Sequence, residues 1–228
     1  MLANACGVTT PDVATLVGPS DQLTREIVGP QDLIHQLLAA QIDRVTVFSD
    51  GQFAIGIPPT RRILPGSFNP LHAGHLGLAQ AAAELLGGPV SFEMSVLNVD
   101  KPPLDAAEVR RRMSQFAWRA TVELTRAATF REKARLLPGS TFVVGADTAE
   151  RIVDSSYYGG TESEMLGAIA EIAGHGCRFL VASRADGSGR FRTLADIAVP
   201  EQSATIFTEI PQSRFRLDIS SSGLRDGD

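Results

Sequence analysis

The passage ILPGSFNPLHAGHLGLAQ, residues 63–80, gathers a Pro-Gly break, a serine, a phenylalanine, a second proline and two histidines, His72 and His75. The chain has only four histidines, and half of them fall here, one helical turn apart. From Ala73 the apolar residues Leu76, Ala79, Ala83 and Leu86 recur at steps of three and four, which is the period of a helix. His72 and His75 therefore stand at that helix's first turn, where free N–H groups and the positive end of the dipole attract anions, phosphate above all. Imidazoles at this spacing share one face, and each can donate a ring N–H to a phosphate oxygen. Gly66, directly after an apolar strand, lets the backbone pass close to a ligand because it has no Cβ. No carboxylate or thiol stands beside the histidines. The passage is thus suited to hold a phosphate whose charge changes, and not to supply a covalent nucleophile. Zinc is the competing use of paired histidines, but His35, His175 and two distant cysteines, Cys6 and Cys177, make a poor complement for a full shell.

The elements that must position this passage alternate along the chain. Apolar, β-rich runs occur at RRIL, VSFEMSVL, TFVVG, CRFLVAS and ATIFTEI, and helical patterns fall between them at 73–86, 105–127, 147–154 and 162–173. Such interleaving predicts an α/β fold: a Rossmann-like, doubly wound parallel sheet of about five strands with flanking helices. Ligands of such sheets bind at the carboxyl ends of the strands, where this passage lies. RADGSGR, residues 184–190, reads as a flexible loop. Residues 1–60 differ from the rest: PQDLIHQLLAAQI reads as a short helix, and RVTVFS with QFAIGI, joined at Asp50-Gly51, as a hairpin. A helix and hairpin bury too little to fold alone, so this appendage should pack on the domain formed by residues 61–228.

Composition bounds the partners. The 228 residues carry a formal charge of −5, which implies no broad basic surface for nucleic acid. No apolar run approaches the roughly 18 residues of a membrane span, and the N-terminus lacks a signal-peptide pattern, so a soluble, cytoplasmic protein without membrane contact is expected. Two cysteines suggest no disulfide framework. Of 21 basic residues only Lys101 and Lys133 are lysine, so a lysine inside a motif reflects either a need for a compact ammonium or simple drift.

GSFNPLHAGHL resembles the G-[ST]-F-[DN]-P-x-H-x-G-H-L signature of the nucleotidylyltransferase superfamily, most closely its nicotinamide and nicotinate mononucleotide adenylyltransferases. DISSSGLR, residues 218–225, is similar to the I-S-S-[ST]-x-[IVL]-R signature of the same enzymes. Between them NVDKPPLDAAEVRRRM, VVGADTAERI and LVASR resemble the family's lysine loop with its R-x-x-M helix, its strand-G-A-D turn and its strand-arginine turn. These five motifs cover residues 62–225 in the family's order. Class I aminoacyl-tRNA synthetases share the H-x-G-H element, but they are far longer and must grip tRNA. In some proteins with a similar catalytic stretch, a domain like the competence-damage-induced or nicotinamide-nucleotide-amidase domain comes first. Residues 1–60 fit a remnant of such a domain.

The resemblance implies a reaction. A nucleoside triphosphate, most simply ATP, joins a small acceptor at its phosphate, a pyridine mononucleotide in the leading reading, and pyrophosphate leaves. Magnesium would arrive with the triphosphate and need no protein cage. Catalysis then rests on alignment and charge stabilisation. By the resemblance His72, His75, Lys101 and Arg225 form the catalytic set. Gly66, Ser67 and Phe68 would present backbone N–H groups to phosphates, and Ser220, Ser221 and Ser222 would bind the outer ones. Asn69 stands where many relatives carry Asp. Gly145 belongs to the G-A-D turn. Asp147 either caps the next helix or reads the nucleotide's sugar or base, and Arg184 is either a nucleotide contact or a surface arginine. Arg110 matches the R-x-x-M arginine, but with Arg111 and Arg112 it reads as a solvated face. Trp118 is expected inside a helix, where an aromatic is more often core. The nicotinate enzymes place a tryptophan after the G-A-D helix to hold the pyridine; here DSSYYGG offers Tyr157 or Tyr158. A cytidylyltransferase, a pantetheine-phosphate adenylyltransferase and a non-catalytic nucleotide-binding regulatory module are the alternatives. A homo-oligomer is compatible with the sequence.

Overall fold

The computed structural model describes residues 30–99, 102–185 and 191–215. Helix α1 (Pro30–Leu38) leads to the hairpin β1 (Arg44–Val47) and β2 (Phe53–Ala54), which turns at Gly51 with φ 84. Then follow β3 (Arg62–Pro65), α2 (Ala73–Leu86), β4 (Ser91–Ser95), α3 (Ala106–Met113) with a 3-10 turn at Ser114–Phe116, and β5 (Val122–Thr125). Next come α4 (Phe130–Leu136), β6 (Thr141–Gly145), α5 (Ala146–Ile152), a 3-10 turn at Ser155–Tyr158, α6 (Glu162–Gly174) and β7 (Arg178–Ala182). A small hairpin, β8 (Arg184–Ala185) and β9 (Phe191–Arg192), precedes the last strand among the described residues, β10 (Phe207–Ile210).

Among the described residues the main sheet has eight strands in the order β10-β7-β6-β3-β4-β5-β1-β2. Six of them, β10 through β5 in that order, pair in parallel. Residues alternate between its two faces. Leu64, Phe92, Met94, Leu124, Val143 and Leu180 pack with α1, α2 and α3 on one side; Ile63, Phe142, Val144, Phe179 and Val181 pack with α4, α5 and α6 on the other. Burial on both faces accounts for the near-continuous apolar strands. The expected parallel, helix-covered architecture is thus present, with more strands than the five runs suggested.

The difference lies between residues 105 and 127, where the sequence pattern predicts one helix. Helix α3 instead stops at Met113, the chain reverses, and Val122–Thr125 becomes a strand between β4 and β1. Trp118 is at the reversal, with φ 59, its N–H donating to the Ser49 carbonyl at 2.6 Å. Its ring is 83% exposed and belongs to no helix, contrary to expectation. A second helix, α4, was not anticipated; Thr129 and Glu132 form a capping box at its start.

The N-terminal elements extend this same sheet. Strand β1 runs antiparallel to β5, with Arg44 opposite Thr125 and Val47 opposite Val122. Buried Glu123 on β5 fastens the join: its Oε2 accepts from Thr46 Oγ1 at 2.7 Å and from Arg44 at 3.0 Å. Among the described residues no helix is long and apolar enough to cross a membrane.

Candidate functional site

Strands β4 and β5 lie on one side of β3, and β6 and β7 on the other, so the winding direction switches between β3 and β6. The β3–β6 ladder has only two register pairs, Arg62 with Thr141 and Ile63 with Phe142, against five for β6–β7. The carboxyl ends of β3 and β6 therefore separate into a crevice, the position where open α/β sheets take ligands. The turn after β3 holds Gly66, Ser67, Phe68 and Asn69, while Gly145 ends β6 and Asp147 lies in the first turn of α5. The motifs that look remote in sequence thus reach one crevice.

His72 is the N-cap of α2, and His75 is its third residue. The two rings stack, with centroids 3.7 Å apart and planes inclined by 24°, and both are partly exposed. The His72 backbone N–H donates to His75 Nδ1 at 3.3 Å. That bond makes Nδ1 an acceptor, so the His75 ring proton resides on Nε2. The helix is closed at its other end by Gly87 in the left-handed region, φ 68.

One expectation for the turn needs correction. The Gly66 N–H donates to the Glu93 carbonyl at 2.9 Å, so it continues the sheet and does not face a phosphate. The Ser67 and Phe68 amides donate to no described residue. Gly66 matters for space instead: a Cβ there would stand 2.8 Å from the Phe68 ring, which is 1% exposed and cannot swing away. Gly66→Ala is expected to destabilise the fold by about 1–3 kcal/mol through this overpacking. Denaturant unfolding checks it; an unchanged midpoint would show that the ring can yield.

Arg111 and Arg112 are more than a solvated face. Arg112 donates to the Ser67 carbonyl at 2.9 Å, and Arg111 to Asn69 Oδ1 at 2.5 Å. Both also bind Glu108, and these guanidinium bonds, Arg111's foremost, bring its carboxyl down to about 2. Gln115 adds two further bonds to the same turn. Sequence reasoning missed all three of these side chains, since their partners lie more than forty residues away.

Beside the turn opens a cavity of about 550 Å³, lined by Gly66, Ser67 and Asn69 on one side and by Phe130, Ile152 and Tyr157 on another. Glu93 and Lys133 also border it. Lys133 Nζ donates to both Glu93 carboxylate oxygens at 2.7 Å and to the Ala127 carbonyl at 2.8 Å, and Thr125 Oγ1 adds a bond of 2.5 Å to Glu93 Oε1. Glu93 is wholly buried and Lys133 nearly so. Of the two tyrosines, Tyr158 is held through its hydroxyl to the Ile152 carbonyl at 3.0 Å, and burial pushes its phenol up. The Tyr157 ring is 46% exposed on the cavity wall. Arg151 also lines the cavity and is exposed.

Arg184 begins strand β8, pairing with Arg192. Lys101, Ser220, Ser221, Ser222 and Arg225 lie outside the described residues, although Pro102, next to Lys101, lines the cavity. Among the described residues no cluster of His, Cys, Asp and Glu has a metal-holding arrangement.

A family model described as cytidylyltransferase-like matches residues 63–227, from the strand before the glycine turn through the DISSSGLR stretch. The chain belongs to the cytidylyltransferase-like family. A relative from Gloeobacter violaceus, described as a probable nicotinate-nucleotide adenylyltransferase, is 27% identical over 175 residues, covering 72% of this chain and 81% of its own. Membership of the cytidylyltransferase-like family supports nucleotidyl transfer as the activity, and a nucleotide as substrate.

Proposed function

We propose that the chain is an adenylyltransferase that joins ATP to the phosphate of a pyridine mononucleotide, yielding a dinucleotide and pyrophosphate. The observation that carries the reading is the shared turn. Gly66–Asn69 borders the helix start with its stacked histidines on one side and the aromatic-walled cavity on the other. A triphosphate at the helix start and an acceptor in the cavity would meet at that turn. The cavity volume lies within the range of small-molecule sites. The name of the Gloeobacter relative supports the pyridine acceptor.

In this proposal an oxygen of the acceptor phosphate forms a bond to the α-phosphorus. The bond from that phosphorus to the bridging oxygen breaks, and its electron pair leaves with pyrophosphate. No protein group becomes covalently attached. His75 Nε2–H and the Ser67 and Phe68 amides donate to phosphate oxygens whose charge grows along this path, which is where fixed donors lower a barrier most. Tyr157 stacks on the pyridine, and Arg151 attracts the acceptor's negative charge. Lys101, Arg225 and Ser220–Ser222 complete the phosphate shell on the strength of the family motifs, and magnesium enters bound to the triphosphate.

The test is to incubate the full chain with magnesium and ATP or CTP against nicotinamide mononucleotide, nicotinate mononucleotide, pantetheine phosphate and choline phosphate, following pyrophosphate. Release with ATP and a pyridine mononucleotide is expected. Release with only CTP or another acceptor would overturn the assignment of substrates. Tight nucleotide binding without release from any pair would replace it with a regulatory binding module.

A further inference from the structure

We infer that Gln115 is a positioning residue for the phosphate-facing turn, its side-chain amide setting the backbone that carries the Ser67 and Phe68 amides and, through Phe68, the His75 ring. The inference rests on the functional reading just given, in which this turn meets the triphosphate.

The turn cannot hold itself. Phe68 has φ 45, in the left-handed region that a bulky aromatic residue seldom adopts. Among the described residues the Leu71 N–H finds no main-chain acceptor; its partner is Gln115 Oε1 at 2.7 Å. Gln115 Nε2 donates to the Phe68 carbonyl at 3.0 Å and to the Arg112 carbonyl at 3.2 Å. One side-chain amide thus bridges the two ends of the turn as a neighbouring peptide would in a sheet, and ties them to the end of α3. The carboxamide of Gln places an acceptor and a donor side by side on one planar group, as a peptide does.

The constraint passes onward through packing. The Phe68 ring meets Phe92 and Phe116 edge to face at 5.2 and 5.3 Å, and meets the His75 ring in the same way at 5.1 Å. A close-packed ring transmits a shift instead of absorbing it. Releasing the Phe68 carbonyl would therefore move both the turn's amides and the imidazole, and donor misplacement of about 1 Å costs on the order of 10²-fold in rate.

Two full-length variants test this. Gln115→Glu keeps the acceptor for Leu71 and loses the donor to Phe68; Gln115→Met keeps the length and loses both. In each, kcat for pyrophosphate release is expected to fall roughly 10- to 100-fold while KM for the mononucleotide stays within about threefold. Ring signals of His75 in NMR spectra are expected to shift, while those of His35 and His175 stay in place. A wild-type kcat in a folded variant overturns the inference. So does a loss of kcat that merely follows the unfolded fraction with His75 signals unmoved. If the unmodified protein releases no pyrophosphate from any pair, the functional reading fails separately. The histidine spectra then decide alone: a His75 shift in Gln115→Met upholds the coupling, and unmoved signals reject it.

Discussion

Replacing His75 by asparagine is expected to lower turnover roughly 10²–10⁴-fold with the fold intact, the loss that removal of a hydrogen-bond donor to the transition state produces. Alanine would confuse two effects, because the ring also accepts the His72 N–H through Nδ1 and stacks on the His72 ring. Asparagine separates them. Its side-chain oxygen can take the place of Nδ1 at the helix start, while nothing replaces the donor at Nε2. His75→Gln supplies a donor nearer the Nε2 position and should recover part of the rate. Pyrophosphate release and thermal unfolding, measured together, check the set. Full turnover in folded His75→Asn would remove this imidazole from the chemistry.

The largest effect on stability is expected at Lys133. Lys133→Met strips the counter-charge from Glu93, which is 0% exposed, and leaves a buried carboxylate with, among the described residues, only Thr125 Oγ1 as a side-chain partner. Breaking one half of a buried pair costs about 3–5 kcal/mol. In a chain of this size that is a fall of roughly 6–20 °C in Tm. Removing both halves, as Glu93→Gln with Lys133→Met, should recover most of the loss, since the penalty belongs to the unmatched charge and not to the missing attraction. A double mutant as unstable as Lys133→Met would show that the lysine acts through packing alone.

Both residues illustrate what a linear sequence discloses. The helix from Ala73 to Leu86 and the histidines at its start follow from periodicity, and its structural limits agree with the expected ones. The five β-rich runs each supply a strand, because burial on both faces demands continuous apolar segments. The run from 105 to 127 misleads because its spacing of Val109, Met113 and Phe116 continues the helical period. The helix nevertheless closes at Met113, and a long-range bond from Trp118 to Ser49 holds the reversal beyond it. Lys133 stands out as one of two lysines, and Glu93 as a carboxylate inside an apolar run, but no local rule joins residues forty apart. Gln115 gives no signal at all, since its two partners in the turn, at Phe68 and Leu71, are peptides that only the folded chain brings near.

The N-terminal hairpin shields more than it resembles. The backbone groups of β5 that pair with β1 would otherwise form an open flank, a template on which another molecule can add a strand. At present the sheet closes there on β2, only two residues long and too short to recruit a neighbour. Cutting the chain where the family match begins, at Ile63, would keep every motif yet bare a sticky border, so the excised catalytic unit should clump.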